Sequence, residues 1–323
     1  MPQPGLAAFG LSLRSDAPPP GAWQARPLRE EPELRLLSVT PQAIQESWSG
    51  FEAVGWAGEI DGAPFVVERG AEGDHRFVHG APPDPSGVPS AQTRAVHHLR
   101  ADASVLRCAP SDPADPSWWR VVLDSALFTV ALLRGYEALH AGAIATPDGA
   151  IAIAAATGGG KSTLLAELLG RGLALMADDV LVLEPRGAQA PLAHPAPPLM
   201  TVPADGIRAR DDADPRATIL SIGDERWIAV PVHPEPLPLK ALVVLDRRPE
   251  SQGAGALPSL ERIESQLGPL LDSLLRFPRL PERERARFEL ASTIASSVEL
   301  WRLSANLDTP PSVLADTLLA AEL

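Results

Sequence analysis

Apolar and polar positions recur at two different periods along this chain, and the period changes near residue 112. Before it, short runs carry strand signatures: Gly10 to Arg14, Leu34 to Val39, and Trp56 to Val67 folded as a hairpin about Asp61-Gly62. Arg76 to Val78 continues this sheet, and Pro82 to Pro89 reads as a surface loop. Ser111 to Pro116 marks a boundary. Beyond it, apolar residues at 119, 122, 123, 126, 127, 130 and 133 form a helical stripe, capped by Asp115 or Ser117 and closed by Gly135. Strands are predicted at 151–156, 173–176, 180–183, 239–245 and 298–303, and helices over 162–169, 261–275, 282–296 and 311–323. Residues 186–238 read as turn-rich, a mobile substrate or lid segment holding Arg208, Arg210, Asp211, Asp212 and Arg216, which serve transition-state neutralisation or are solvated surface charge. The alternation predicts an α/β fold: a twisted mixed sheet with flanking helices over 113–323, preceded by a β-rich region over 1–112.

Composition narrows the function. At 323 residues and 45% hydrophobic, the chain holds one large or two ordinary domains with a real core. A net charge of −13 disfavours an extended nucleic-acid or anionic-membrane surface, so neither partner is expected. No apolar run is long enough to span a bilayer, and MPQPGLAAFG lacks the basic-then-apolar order of a signal peptide, so a cytoplasmic protein is expected. Cys108 is the only cysteine, which excludes a disulfide and reads as a small buried side chain. His75, His79, His97 and His98 invite a metal reading. In a strand, however, His97 and His98 face opposite sides, and solvated or hydrogen-bonded histidines are expected instead.

The chemistry concentrates in Ile151 to Leu169, IAIAAATGGGKSTLLAELL: a buried strand, a glycine loop and a helix. This is the layout of a P-loop. Its glycines turn backbone N–H groups toward phosphate oxygens, and the helix N-terminus adds unpaired donors. The candidate nucleotide-binding residues are Ala155, Thr157, Gly158, Gly159, Gly160, Lys161, Ser162 and Thr163. Lys161 would reach the β- and γ-phosphates, and Ser162 would ligate Mg²⁺. Ala155 stands where the motif has its first glycine, an acceptable place for alanine only if φ is negative. Lysine is rare here: of 28 basic residues only Lys161 and Lys240 are lysines. Asp178-Asp179 ends the next apolar strand in the manner of a Walker-B pair: one carboxylate can hold the metal while the other takes a proton. A capped turn with solvated acids is the other reading. His140, shortly before the P-loop strand, is either structural or catalytic.

Residues 139 to 183 resemble the catalytic domain of the HPr kinase/phosphorylase family. The resemblance rests on His140 followed by a small residue, on Ala154 to Thr163, and on Ala177-Asp178-Asp179, in that order and spacing. Residues 239 to 323 are similar to the C-terminal part of shorter homologues, some from peptide-maturation pathways, including lasso-peptide kinases. The resemblance implies the P-loop fold shared with PEP carboxykinases and an ATP- and Mg²⁺-dependent kinase. Its acceptor would be a Ser/Thr-type hydroxyl of a peptide, protein or small molecule. It implies Asp178 as base, Asp179 as support for the metal, and His140 as the residue that orients the acid or contacts phosphate. The family's Glu-x-Arg-Gly-Leu-Gly signature is absent after the Asp pair, so HPr as acceptor and the phosphorylase reaction are not carried over. A nucleotide-binding regulatory or assembly module is the alternative. Homo-oligomerisation is left open.

Overall fold

The computed structural model describes residues 4–20, 23, 26–27, 33–48, 52–60, 62–82, 90–156, 158–203, 218–222, 225–248, 258–264, 273–274, 281–321 and 323. The chain divides into two compact units: 1–134 with 203–227 and 276–282, and 135–202 with 228–275 and 283–323. The division falls at Arg134/Gly135, past the helical stripe, instead of near residue 112. Among the described residues no helix is long and apolar enough to cross a membrane.

The first unit is built on a sheet of β1 (Pro4–Ala8), β2 (Leu11–Ser15), β3 (Arg26–Pro27), β4 (Leu34–Ser38), β5 (Glu52–Ile60), β6 (Ala63–Arg69), β7 (His75–Gly80), β8 (Thr93–Leu99) and β9 (Val105–Pro110). Their order is β3-β1-β2-β4-β9-β8-β7-β6-β5. Every residue of β7 is buried, so both faces of the sheet are covered there. On one face, α1 (Pro41–Ser47), capped by Thr40, packs Ile44 against Val78, Val96 and Ala109. Toward the other lies a helical segment: a 3₁₀ turn Pro116–Trp118, α2 (Trp119–Val121), a π turn Val122–Ala126 and α3 (Leu127–Leu133). Asp115 accepts from the Ser117 amide at 2.9 Å at its start, and Gly135 takes φ +95° after its end.

His97 and His98 do point to opposite faces. His97 packs beside Trp118, and His98 sits edge-on to Trp48 and bonds Asp74 at 2.6 Å. They are not solvated: His75, His79, His97 and His98 are all buried, because the sheet is covered on both sides where they lie. Among the described residues no group of three or more His, Cys, Asp or Glu is placed to hold a metal. Pro82 lies within the described residues, and the remainder of the predicted 82–89 loop lies outside them.

The second unit carries β10 (Glu137–His140), β11 (Gly142–Thr146), β12 (Gly149–Ala155), α4 (Lys161–Gly170), β13 (Ala174–Ala177) and β14 (Val180–Arg186). The segment read as turns and lid contains strands instead: β15 (Gln189–His194), β16 (Leu199–Pro203), β17 (Thr218–Ile222) and β18 (Glu225–Ala229), of which β17 and the start of β18 are counted with the first unit. Prolines within or beside these short strands, such as Pro191 and Pro203, hide them from a propensity reading. Arg208, Arg210, Asp211, Asp212 and Arg216 lie outside the described residues.

The long strand β19 (Leu237–Arg248) follows, then β20 (Ser259–Arg262), α5 (Glu284–Ser297), β21 (Glu299–Asn306) and α6 (Pro311–Leu319). The helix expected over 261–275 does not begin at Glu261: Glu261 and Arg262 belong to β20, which pairs with β21 in antiparallel register, and residues 265–272 and 275 lie outside the described residues. The unit's sheet is mixed. Its order is β10-β14-β15-β19-β12-β11-β13, with β21 added beside β19. The β12–β19 and β19–β21 pairs are parallel.

Candidate functional site

β12 is apolar throughout because it lies inside the sheet, parallel to β19 and antiparallel to β11. It ends at Ala155, opposite Leu245, and the chain turns at once into α4. The three glycines of the turn answer three local demands. Gly158 and Gly160 take φ +73° and +89°, a region that strains any residue with a Cβ. Gly159 is required by space: a Cβ there would lie 2.8 Å from the Ala156 carbonyl and 3.1 Å from the Ala155 methyl. Ala155 itself is the last residue of the strand and is not among the residues with positive φ, so alanine costs nothing there. Thr157 lies outside the described residues. Lys161 opens α4, followed by Ser162 and Thr163. Leu164, Leu165 and Leu168 fix the helix by burial beneath it, and Arg171 ties its far end to Asp316 and the Ser312 carbonyl of α6.

His140 and the acidic pair meet for a topological reason. β10 and β11 are separated only by Ala141, and β13 and β14 only by Asp178-Asp179. The pairings His140↔Val180 and Ala143↔Ala177 share one register, so both belong to a single antiparallel ladder interrupted at its middle. The interruption sets Ala141-Gly142 against Asp178-Asp179. Gly142 lets the elements close up: a Cβ there would come within 2.6 Å of the Asp178 carbonyl and 2.3 Å of Leu165. The break thus places His140, Asp178 and Asp179 beside the first turn of α4.

There the side chains converge. Lys161 Nζ donates to Asp179 Oδ1 at 2.5 Å and lies 3.5 Å from His140 Nε2. His140 Nδ1 lies 3.5 Å from the same Asp179 oxygen. Lys161 is buried, whereas the Asp179 side chain is 60% exposed. Asp178 is buried, and its Oδ2 accepts the Thr201 amide at 2.8 Å. Its Oδ1 is buried and meets no hydrogen-bond geometry among the described residues, although the Ser162 hydroxyl is close enough to favour the ionised acid. Burial pushes Asp178 up to about 7, helped by the charge of Asp179 and opposed by the Thr201 amide, Lys161 and Ser162. Burial likewise lowers His140, against the pull of Asp179 and together with the push of Lys161, so its ring is neutral at neutral pH.

One further cation reaches this place. Arg247 lies just past the β19 residues that pair with the end of β12, and its Nη1 comes within 2.7 Å of where a Gly160 Cβ would stand. Its other nitrogens hold the Asn306, Leu307 and Thr309 carbonyls, which fixes the guanidinium against the loop. Nothing in the run Asp246-Arg247-Arg248 separates it from ordinary solvated charge; the signal is its position at the end of the strand beside β12. Ser162, Asp178 and Asp179 offer hard oxygen donors, the set that Mg²⁺ takes together with phosphate oxygens and water.

No family model and no curated protein matches this chain. Among solved structures, the HPr(Ser) kinase/phosphatase from Coxiella burnetii is similar at 15% identity and a TM-score of 0.31, over 58% of this chain and 96% of that one. A likeness of that size establishes no activity for this chain.

Proposed function

We propose that the second unit binds Mg-ATP at the Gly158–Thr163 turn and transfers the γ-phosphoryl group to a Ser/Thr-type hydroxyl of a peptide, protein or small molecule. The observation that supports this most is the convergence of Lys161, His140, Asp178 and Asp179 on the first turn of α4, with Asp178 held near neutrality by burial. The α4 N-terminus, Lys161 and Arg247 supply positive charge for the phosphates. Ser162 and Asp179 would hold Mg²⁺, which would supply positive charge against the phosphates. The acceptor oxygen bonds to the γ-phosphorus as the bond to the β–γ bridging oxygen breaks, and its proton passes to Asp178 Oδ1; ADP leaves. A base poised near 7 suits that transfer. His140, neutral, orients Asp179. The same geometry serves a nucleotide-binding module without transfer, a reading favoured by the burial of Asp178, which restricts an acceptor's approach.

Lys161→Ala decides whether nucleotide binds here at all. The variant is expected to fold as the parent does and to lose ATP binding, measured by calorimetry with Mg²⁺ present. Unchanged ATP affinity overturns the assignment. Transfer from radiolabelled ATP to candidate hydroxyl acceptors then separates a kinase from a binding module.

A further inference from the structure

We infer that the Lys161–Asp179 ion pair is a latch that makes this site accept nucleotide with a divalent cation and reject free nucleotide. The inference rests on the nucleotide reading of the turn and concerns how that turn is controlled.

The two partners are unequally placed. The Lys161 side chain is 8% exposed and the Asp179 side chain 60% exposed, with 2.5 Å between Nζ and Oδ1. The ammonium is buried, and the carboxylate bonded to it is open to solvent. Anything that approaches Lys161 from that side meets Asp179 first. His140 steadies the pair from the flank, 3.5 Å from each partner. A neutral imidazole can do both jobs at once, with Nδ1–H facing the carboxylate and Nε2 facing the ammonium.

A polyphosphate carries several negative charges. To reach Lys161 it must displace Asp179 or sit beside it, with Asp178 close behind. At separations of about 4 Å near a protein surface, like charges repel strongly enough to outweigh an exposed hydrogen bond. A divalent cation reverses the sign. It draws Asp179 off the lysine through a carboxylate–metal contact and offers its remaining positions to phosphate oxygens. Lys161 is then free for the phosphates. One residue therefore serves twice, holding the lysine before the cation arrives and supporting the cation afterwards.

The test is the affinity for ATP, by calorimetry, in EDTA and in Mg²⁺, for the parent, Asp179→Asn and Lys161→Ala. Asp179 is exposed, so the amide is expected to fold like the parent, which its circular dichroism and Tm verify. The parent is expected to bind ATP in Mg²⁺ and to bind it poorly in EDTA. Asp179→Asn is expected to bind ATP in EDTA about tenfold more tightly than the parent and to lose most of the gain from Mg²⁺. If Asp179→Asn binds metal-free ATP no better than the parent, or if the parent binds ATP equally well in EDTA and Mg²⁺, the latch is overturned. Loss of binding in Lys161→Ala shows that the nucleotide site stands even then. A parent that binds neither form, or a Lys161→Ala variant that binds like the parent, overturns the nucleotide site and the latch together.

Discussion

A buried carboxylate is costly, and Asp178 is one whose Oδ1 has no hydrogen-bond partner among the described residues. Burial raises it from 3.8 to about 7. The fold therefore prefers its protonated form. The stability this confers is fully present below the ordinary carboxylate range and is lost as pH rises toward about 7. Asp178→Asn mimics the protonated acid, keeps an acceptor for the Thr201 amide and carries no charge. It is expected to raise Tm at pH 8 and to leave it near the parent's at pH 4. The same change is expected to cut phosphoryl transfer by about 10² to 10⁴ and to remove the rise of kcat/KM through pH 7. A parallel loss of stability at pH 8 would show that the carboxylate is structural. Lys161, Asp178 and Asp179 stood out in the sequence as candidates because glycine spacing and an acidic strand end are local signals, whereas His140 stood out only through the family resemblance. Arg247 was not, since what sets it apart is the glycine turn of a neighbouring strand.

Between strands and helix, the decisive contact is Gly142. Its missing side chain lets α4 and the Asp178 segment close on β11, and a methyl there meets Leu165 and the Asp178 backbone carbonyl. The leucine can turn aside, whereas the carbonyl belongs to the interrupted ladder and cannot move alone. Gly142→Ala is expected to cost about 1–3 kcal/mol and to lower ATP affinity by displacing Asp179 from Lys161. Thermal denaturation and calorimetry measure the two effects. A variant with the parent's Tm and affinity would mean that the ladder tolerates the widening. The strand at 151–156 was readable because burial on both sides makes it a continuous apolar run, and 239–245 departs from that only at Lys240; 298–303 carries Glu299 and Arg302 and buries Leu300 and Leu303, so a strand was readable there from its spaced apolar residues. β15 to β18 were not, because prolines and short length imitate turns. Glu261 was misread as helical because Leu260 and Ile263 fit a helical period, while pairing to the edge of β21 decided the outcome.

Across the whole molecule, the division into units was the least legible feature. The apolar stripe 119–133 signals a helix but not which core receives it; it joins the sheet of the first unit, and the division follows it. His75 of β7 and His97 of β8 lie buried in that unit, His97 beside Trp118 just before the stripe, with a consequence in acid. Burial lowers His97 to about 3, with a push from His79. Burial and Arg69 lower His75 to about 4, against the pull of Asp74 and Glu282 and with a push from His98. Both rings are neutral in the fold and take protons readily when the chain unfolds. For a depressed pKa the stability is present above the ordinary histidine value of 6.5 and is lost as pH falls toward 4 and then 3. The loss is on the order of a few kcal/mol, enough to unfold a marginal domain. The first unit is therefore expected to unfold in that window. Tryptophan fluorescence reports it, because every tryptophan except Trp301 belongs to that unit. His97→Phe keeps an aromatic ring beside Trp118 and removes the proton acceptor. It is expected to move the acid midpoint down by about half a pH unit. If parent and variant lose their tryptophan signal at the same pH, protonation of His97 is not what opens the unit.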